Sequence, residues 1–145
     1  MAEEPVIAGD LGKLVKTTKQ LAATRQIHAA IAHFWKDEYE CAITLAAAAE
    51  GLLPATDEPH IFSVLKASPH FEGGDYNLFI NWLKHPIEPN EASIAEFETA
   101  IIIMRAISKL VAVYNDGTDE MREFGQWVFK TGHLPMPKEW PKKSN

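Results

Sequence analysis

With 145 residues, 46% of them hydrophobic and 23% charged, the chain has the length and composition of one folded domain, able to bury about two-thirds of its unfolded surface without metal or disulfide staples. Its net charge of -6 argues against a broad cationic surface for nucleic-acid phosphates. The longest strongly apolar run, Ala100 to Met104, is interrupted by Arg105 and is far short of a membrane span.

The opening Met1-Ala-Glu-Glu-Pro5 carries acid where a secretory signal needs a basic start and an apolar stretch, so the cytoplasm is the expected compartment. Residues 1–16, broken by Gly9 and Gly12, read as a loose N-terminal arm that can turn helical near Leu11. Lys13, Lys16, Lys19 and Arg25 form a local basic cluster there. From Thr17 or Thr18 a helix is expected, with Leu21, Thr24, Ile27/His28, Ile31 and Phe34/Trp35 on one buried stripe and His33 off it.

Asp37, followed three positions later by Glu40, reads as the start of a second helix, so the two should form an antiparallel hairpin. Cys41, Leu45, Ala48/Ala49 and Leu52 make its expected stripe, and the run Ala46 to Ala49 lets another helix approach closely. Cys41 is the only cysteine, which rules out an internal disulfide and a thiolate zinc site within the chain; its neighbours read it as a small buried hydrophobe. Pro54 ends this helix just after Glu50. A short helix is expected at Pro59–Lys66, with Ser68-Pro69 past its end.

The stretch from Asp75 to His85 is the richest in chemistry. Asp75 can cap a helix of roughly three turns that Pro86 stops, and on that helix Leu78, Asn81, Trp82 and His85 share a face. Asn81 and His85 are then neighbours one turn apart. An amide can fix an imidazole's tautomer for acid or base work near neutral pH, and the same pair can equally be a structural hydrogen bond.

Asn90 can cap the longest helix, running to about Asn115 and spanning about 37 Å. Ile94, Phe97, Ile101, Met104, Ser108 and Val111 line one stripe, and Ile103, Ile107, Leu110 and Tyr114 another. Glu91, Glu98, Arg105 and Lys109 are left as a narrow wet face. A helix so apolar around its circumference is central in a bundle or partly covered by a second subunit, so a homodimer is expected. Asp116-Gly117 ends it, and Thr118 or Asp119 caps a last helix with Met121, Phe124, Trp127/Val128 and Thr131 inward and Gly132 closing it. Pro135, Pro137 and Pro141 hold residues 135–145 as an extended Pro/Lys tail. The expected architecture is all-α, a five- to six-helix up-and-down bundle over residues 17–134.

Motifs for phosphate loops, His-Glu-x-x-His and the Gly-x-Ser-x-Gly elbow are missing. The six histidines are scattered, and without a Glu-x-x-His a di-iron centre is not expected; no metal and no cofactor is called for. The four tryptophans lack the basic neighbours of a base-stacking platform.

In this helix order the chain resembles the HEPN-like helical bundles of bacteria. The residues that carry the resemblance are Leu45-Ala-Ala-Ala-Ala-Glu-Gly-Leu52, Asn81-Trp-Leu-Lys-His85 and Phe124-Gly-Gln-Trp-Val-Phe129. The resemblance implies a homodimer. In the ribonuclease members an Arg, usually followed by Asn, precedes a His by four to six residues, and two subunits pair these helices into a metal-independent site that cleaves RNA. Here Asn81 and His85 stand at the Asn and His positions, and Ile80 stands where the Arg belongs. A branched alkyl group cannot hold a scissile phosphate or neutralise its growing charge.

Three functions follow as expectations. The first is a non-catalytic homodimer binding a nucleotide, RNA or a protein at the Asn81/His85 cleft. The second is an endoribonuclease of toxin or defence type with a rewired site, in which His85 is acid/base, Asn81 orients it and Lys84 clamps phosphate. The third is a structural or interaction protein with no site. Glu50 and His28 are secondary candidates for ligand binding, because both fall on helices expected to flank the cleft. Each has a plainer reading: a solvated charge at a helix end for Glu50, a satisfied core histidine for His28.

Overall fold

The computed structural model describes residues 11–56 and 77–132. Among them are five helices and no strand: α1 Lys19–Trp35, α2 Tyr39–Leu52, α3 Leu78–Lys84, α4 Glu96–Tyr114 and α5 Asp119–Lys130. The chain is therefore an all-α bundle. The short helix expected at Pro59–Lys66, and the Asp75 cap, fall outside the described residues.

Residues 11–18 are exposed and not helical, so the helical turn expected near Leu11 does not form. Thr18 stops it by folding its hydroxyl over the first turn of α1, where it accepts from the Leu21 backbone N–H at 3.0 Å. The buried face of α1 is Ala23, Ile27, Ala30, Ile31 and Phe34, rotated from the expected stripe, and Leu21 and Trp35 are left 38% and 52% exposed. Alanines on that face allow the close packing of α1 on α2, the most extensive helix pair in the fold.

The hairpin turn differs from expectation in one residue. Asp37 takes a left-handed conformation (φ 60), so it belongs to the turn, and Glu38 occupies the N-cap of α2 without a side-chain capping bond. Helix α2 buries Ala42, Ile43, Ala46 and Ala49, while Cys41 is only half-buried and Ala48 is exposed. Small side chains point inward because the neighbouring helix sits close.

Helix α4 begins at Glu96, not near Asn90, and is about 28 Å long. The Trp82 indole donates to the Pro89 carbonyl at 2.6 Å and ties residues 86–95 to α3 as a non-helical segment. Glu98 then accepts from the Ala95 backbone N–H and starts the helix. From Thr99 through Ile107 every residue of α4 is buried, as expected of a central helix. Its apolar circumference is covered within one chain, so its burial by itself calls for no second subunit. At its far end Asn115 adopts the left-handed region (φ 54), and Thr118 caps α5, which buries Met121, Phe124, Gly125 and Val128.

Contacts at the two ends of the bundle fix the helix directions. Tyr39 at the start of α2 feels the carboxylate of Glu96 at the start of α4, and Glu50 near the end of α2 meets Arg105 and Lys109 further along α4. Helices α2 and α4 therefore run the same way. Phe34, Trp35, Tyr39, Phe124 and Trp127 close the end where α1 finishes; the Trp35 and Trp127 rings meet edge-on with centroids 5.0 Å apart.

Phe124, 1% exposed and edge-on to Phe34, is the anchor of that end. Phe124→Ala should destabilise the protein by about 3–5 kcal/mol in urea unfolding. At the same end, burial and then the carboxylates of Asp37 and Glu96 raise the Tyr39 phenol above its ordinary 10.0, because the phenolate would lose hydration and face two negative charges. The folded state thus holds this proton more tightly than the unfolded chain. Its stabilisation is complete below the unfolded value and is lost as pH rises through the folded one. Tyr39→Phe should flatten the alkaline limb of a stability-versus-pH curve, and an unchanged limb would refute the assignment.

Candidate functional site

Helix α3 packs through Phe79, Ile80 and Leu83, which lie against the core. Leu78 is 57% exposed, and Asn81, Lys84 and His85 are all exposed. Phe79, Ile80 and Leu83 are the more hydrophobic set, and their burial puts the amide and imidazole on the solvent side. His85 ends the helix in an extended conformation, its backbone N–H donating to the Asn81 carbonyl at 3.1 Å and its own carbonyl accepting from Ile87 at 2.8 Å. The two residues are joined through the backbone; no side-chain hydrogen bond of either is formed among the described residues. Ile80, at the motif's arginine position, is half-buried against the core.

A second polar centre lies at the other end of α3. Arg105, expected on a wet face, is only 6% exposed and donates to the Glu50 carboxylate at 2.8 Å. Its other terminal nitrogen reaches the side-chain oxygen of Asn77, the N-cap of α3, at 3.4 Å. Lys109, one turn on, donates to the Glu50 backbone carbonyl at 3.0 Å, which places a cation at the negative end of α2. Glu50, partly exposed, ties α2 to α4, and Arg105 ties α4 to α3. One signal for this pairing is present in the sequence, since a guanidinium within an otherwise apolar helix needs a carboxylate, and Glu50 follows the alanine run that lets the two helices approach.

His28 sits elsewhere, facing the start of α5. Its Nε2 is 2.8 Å from the Thr118 hydroxyl and its Nδ1 3.5 Å from Glu120. Thr118 also accepts from the Met121 backbone N–H at 3.3 Å. His28 therefore steadies a helix cap. His33 does similar work in the hairpin turn, with Nδ1 2.8 Å from the Glu38 carboxylate. The candidates consequently divide: Asn81, Lys84 and His85 are exposed on α3, Glu50 belongs to the pair with Arg105, and His28 to the α5 cap. Among the described residues no three His, Cys, Asp or Glu side chains are grouped to hold a metal ion, and no helix is long and apolar enough to cross a membrane.

No family model matches the chain, and neither the curated proteins nor the solved structures include a match to it.

The two centres respond differently to mutation. Glu50→Ala leaves the Arg105 charge buried without its carboxylate and should cost about 2–4 kcal/mol in chemical denaturation; adding Arg105→Met should recover most of that loss. His85→Ala, at an exposed position, should stay within about 0.5 kcal/mol of the parent. A single Glu50→Ala as mild as His85→Ala would show that the pair does not hold the helices together.

Proposed function

We propose that this chain is a non-catalytic, HEPN-like interaction module that works as a homodimer and offers the exposed end of α3, with Asn81, Lys84 and His85, to its partner. One observation carries this reading. The arginines of the chain are Arg25, Arg105 and Arg122, and none stands beside His85 on α3. Arg105 is buried on Glu50, Arg122 bonds the Gly117 carbonyl and Asp119, and Arg25 is exposed on α1. A nuclease of the kind the resemblance implies needs a planar donor fork on the phosphate, placed in advance. Lys84 is a point charge on a flexible stem and His85 is not oriented by Asn81, so the chemistry lacks both clamp and aligned base.

The net charge of -6, with Glu88 and Glu91 exposed just beyond His85, favours a protein partner over a phosphate backbone. Incubation of the purified protein with labelled single-stranded RNA in the presence of chelator is the test. The expected result is intact RNA and no binding at about 150 mM salt. Cleavage that disappears in His85→Ala, with the helical circular-dichroism spectrum unchanged, would overturn the proposal in favour of a rewired endoribonuclease.

A further inference from the structure

Two exposed segments of opposite charge lie at opposite ends of the bundle. The first is the extended arm before α1. Leu11, Leu14 and Val15 are 48%, 73% and 71% exposed there, and residues 11–25 hold Lys13, Lys16, Lys19 and Arg25 with no acidic residue. The second is the segment between α3 and α4. Ile87 is 51% exposed, Glu88 and Glu91 are exposed beside it, and Leu78 on α3 is 57% exposed one turn before Trp82, whose indole holds Pro89. Between residues 84 and 98 four carboxylates, Glu88, Glu91, Glu96 and Glu98, outweigh the single cation Lys84.

Geometry separates them within one chain. The arm leaves at the start of α1, near the end of the bundle where His28 meets the α5 cap. The acidic segment enters α4 at Glu96, beside Tyr39, where α1 has finished. The length of α1 lies between them, about 25 Å. In the structure the arm is not folded back along that length, because all of residues 11–20 are exposed.

We propose that the partner of each segment is the other segment on a second copy of this chain. In a two-fold antiparallel pair, the arm of one copy meets the Ile87–Glu91 segment of the next, and the same contact repeats at the far end, as an isologous interface requires. Leu14 and Val15 cover Ile87, and Lys13 and Lys16 face Glu88 and Glu91. This inference names the surfaces of the homodimer proposed above and rests on that reading. The contact is small and partly ionic, so it forms in the micromolar range and weakens as salt rises.

Sedimentation velocity on the full chain from about 1 to 200 μM tests it. The parent protein should pass from monomer to dimer with rising concentration, and the dimer should weaken at least about tenfold on going from 50 to 500 mM salt. Lys13→Glu/Lys16→Glu and Glu88→Lys/Glu91→Lys should each be monomeric alone, because like charges then meet. Mixed in equal amounts they should form a heterodimer, since each contact in the mixed pair again joins opposite charges. Leu14→Ser/Val15→Ser should be monomeric in every mixture. A parent dimer that none of these variants weakens, or a mixture that stays monomeric while the parent dimerises, would overturn the arm exchange and leave the homodimer standing. A parent protein that is monomeric throughout would overturn both. All the altered side chains are exposed, so unchanged circular-dichroism spectra are expected for every variant.

Discussion

The bond between Arg105 and Glu50 sets the frame on which the rest of this molecule is arranged. A guanidinium in the middle of the buried stretch of α4 has to be neutralised and hydrogen-bonded where it stands, because an isolated charge in that surrounding is prohibitively costly. Glu50 supplies the carboxylate, and it can do so only because Ala42, Ala46 and Ala49 bring α2 close to α4. Asn77 extends the same cluster to the N-cap of α3. Three helices far apart in sequence are thereby held in one register. The hydrophobic core decides that they pack; the polar cluster fixes how α3 is placed on them.

That placement has a functional consequence. With Asn77 held at Arg105 and with Phe79, Ile80 and Leu83 against the core, the opposite side of α3 faces solvent, and it is there that Asn81 and His85 reside. The guanidinium that could have served a phosphate is used to hold the fold. What is left at the end of α3 is a surface of mixed character: an amide, an imidazole and an ammonium, followed by an apolar residue and two carboxylates. On the proposed reading, this is the surface that another polypeptide meets.

The all-helical class, the position of Thr118 as a cap, the hairpin of the first two helices and the centrality of the long helix were legible because periodicity and capping are local. The rotation of each buried face was less so. In α1 and α2 the choice between Leu21 or Cys41 and the neighbouring alanines depends on how closely two helices approach, and alanine reads as neutral until the partner is known. The cap of the long helix was misplaced by five residues, Asn90 against Ala95, because Asn90 is a sound local cap, while the Trp82 bond to Pro89 that holds the segment off the helix is a tertiary contact. Among the site residues, the exposed Asn81, Lys84 and His85 were identifiable as a group. The roles of Glu50, Arg105 and His28 were not, since each is defined by a partner between 55 and 90 positions away.

The central claim is that Arg105 is locked into the interior by Glu50. Nuclear magnetic resonance of the arginine side chains in ¹⁵N-labelled protein addresses it without altering the molecule. If the claim holds, the terminal nitrogens of Arg105 give resolved, slowly exchanging signals near neutral pH, because rotation of the guanidinium is blocked and water is kept away, whereas exposed Arg25 gives a single averaged signal. An Arg105 signal as averaged and as rapidly exchanging as that of Arg25 would contradict the account, and would free that guanidinium for a role at the surface.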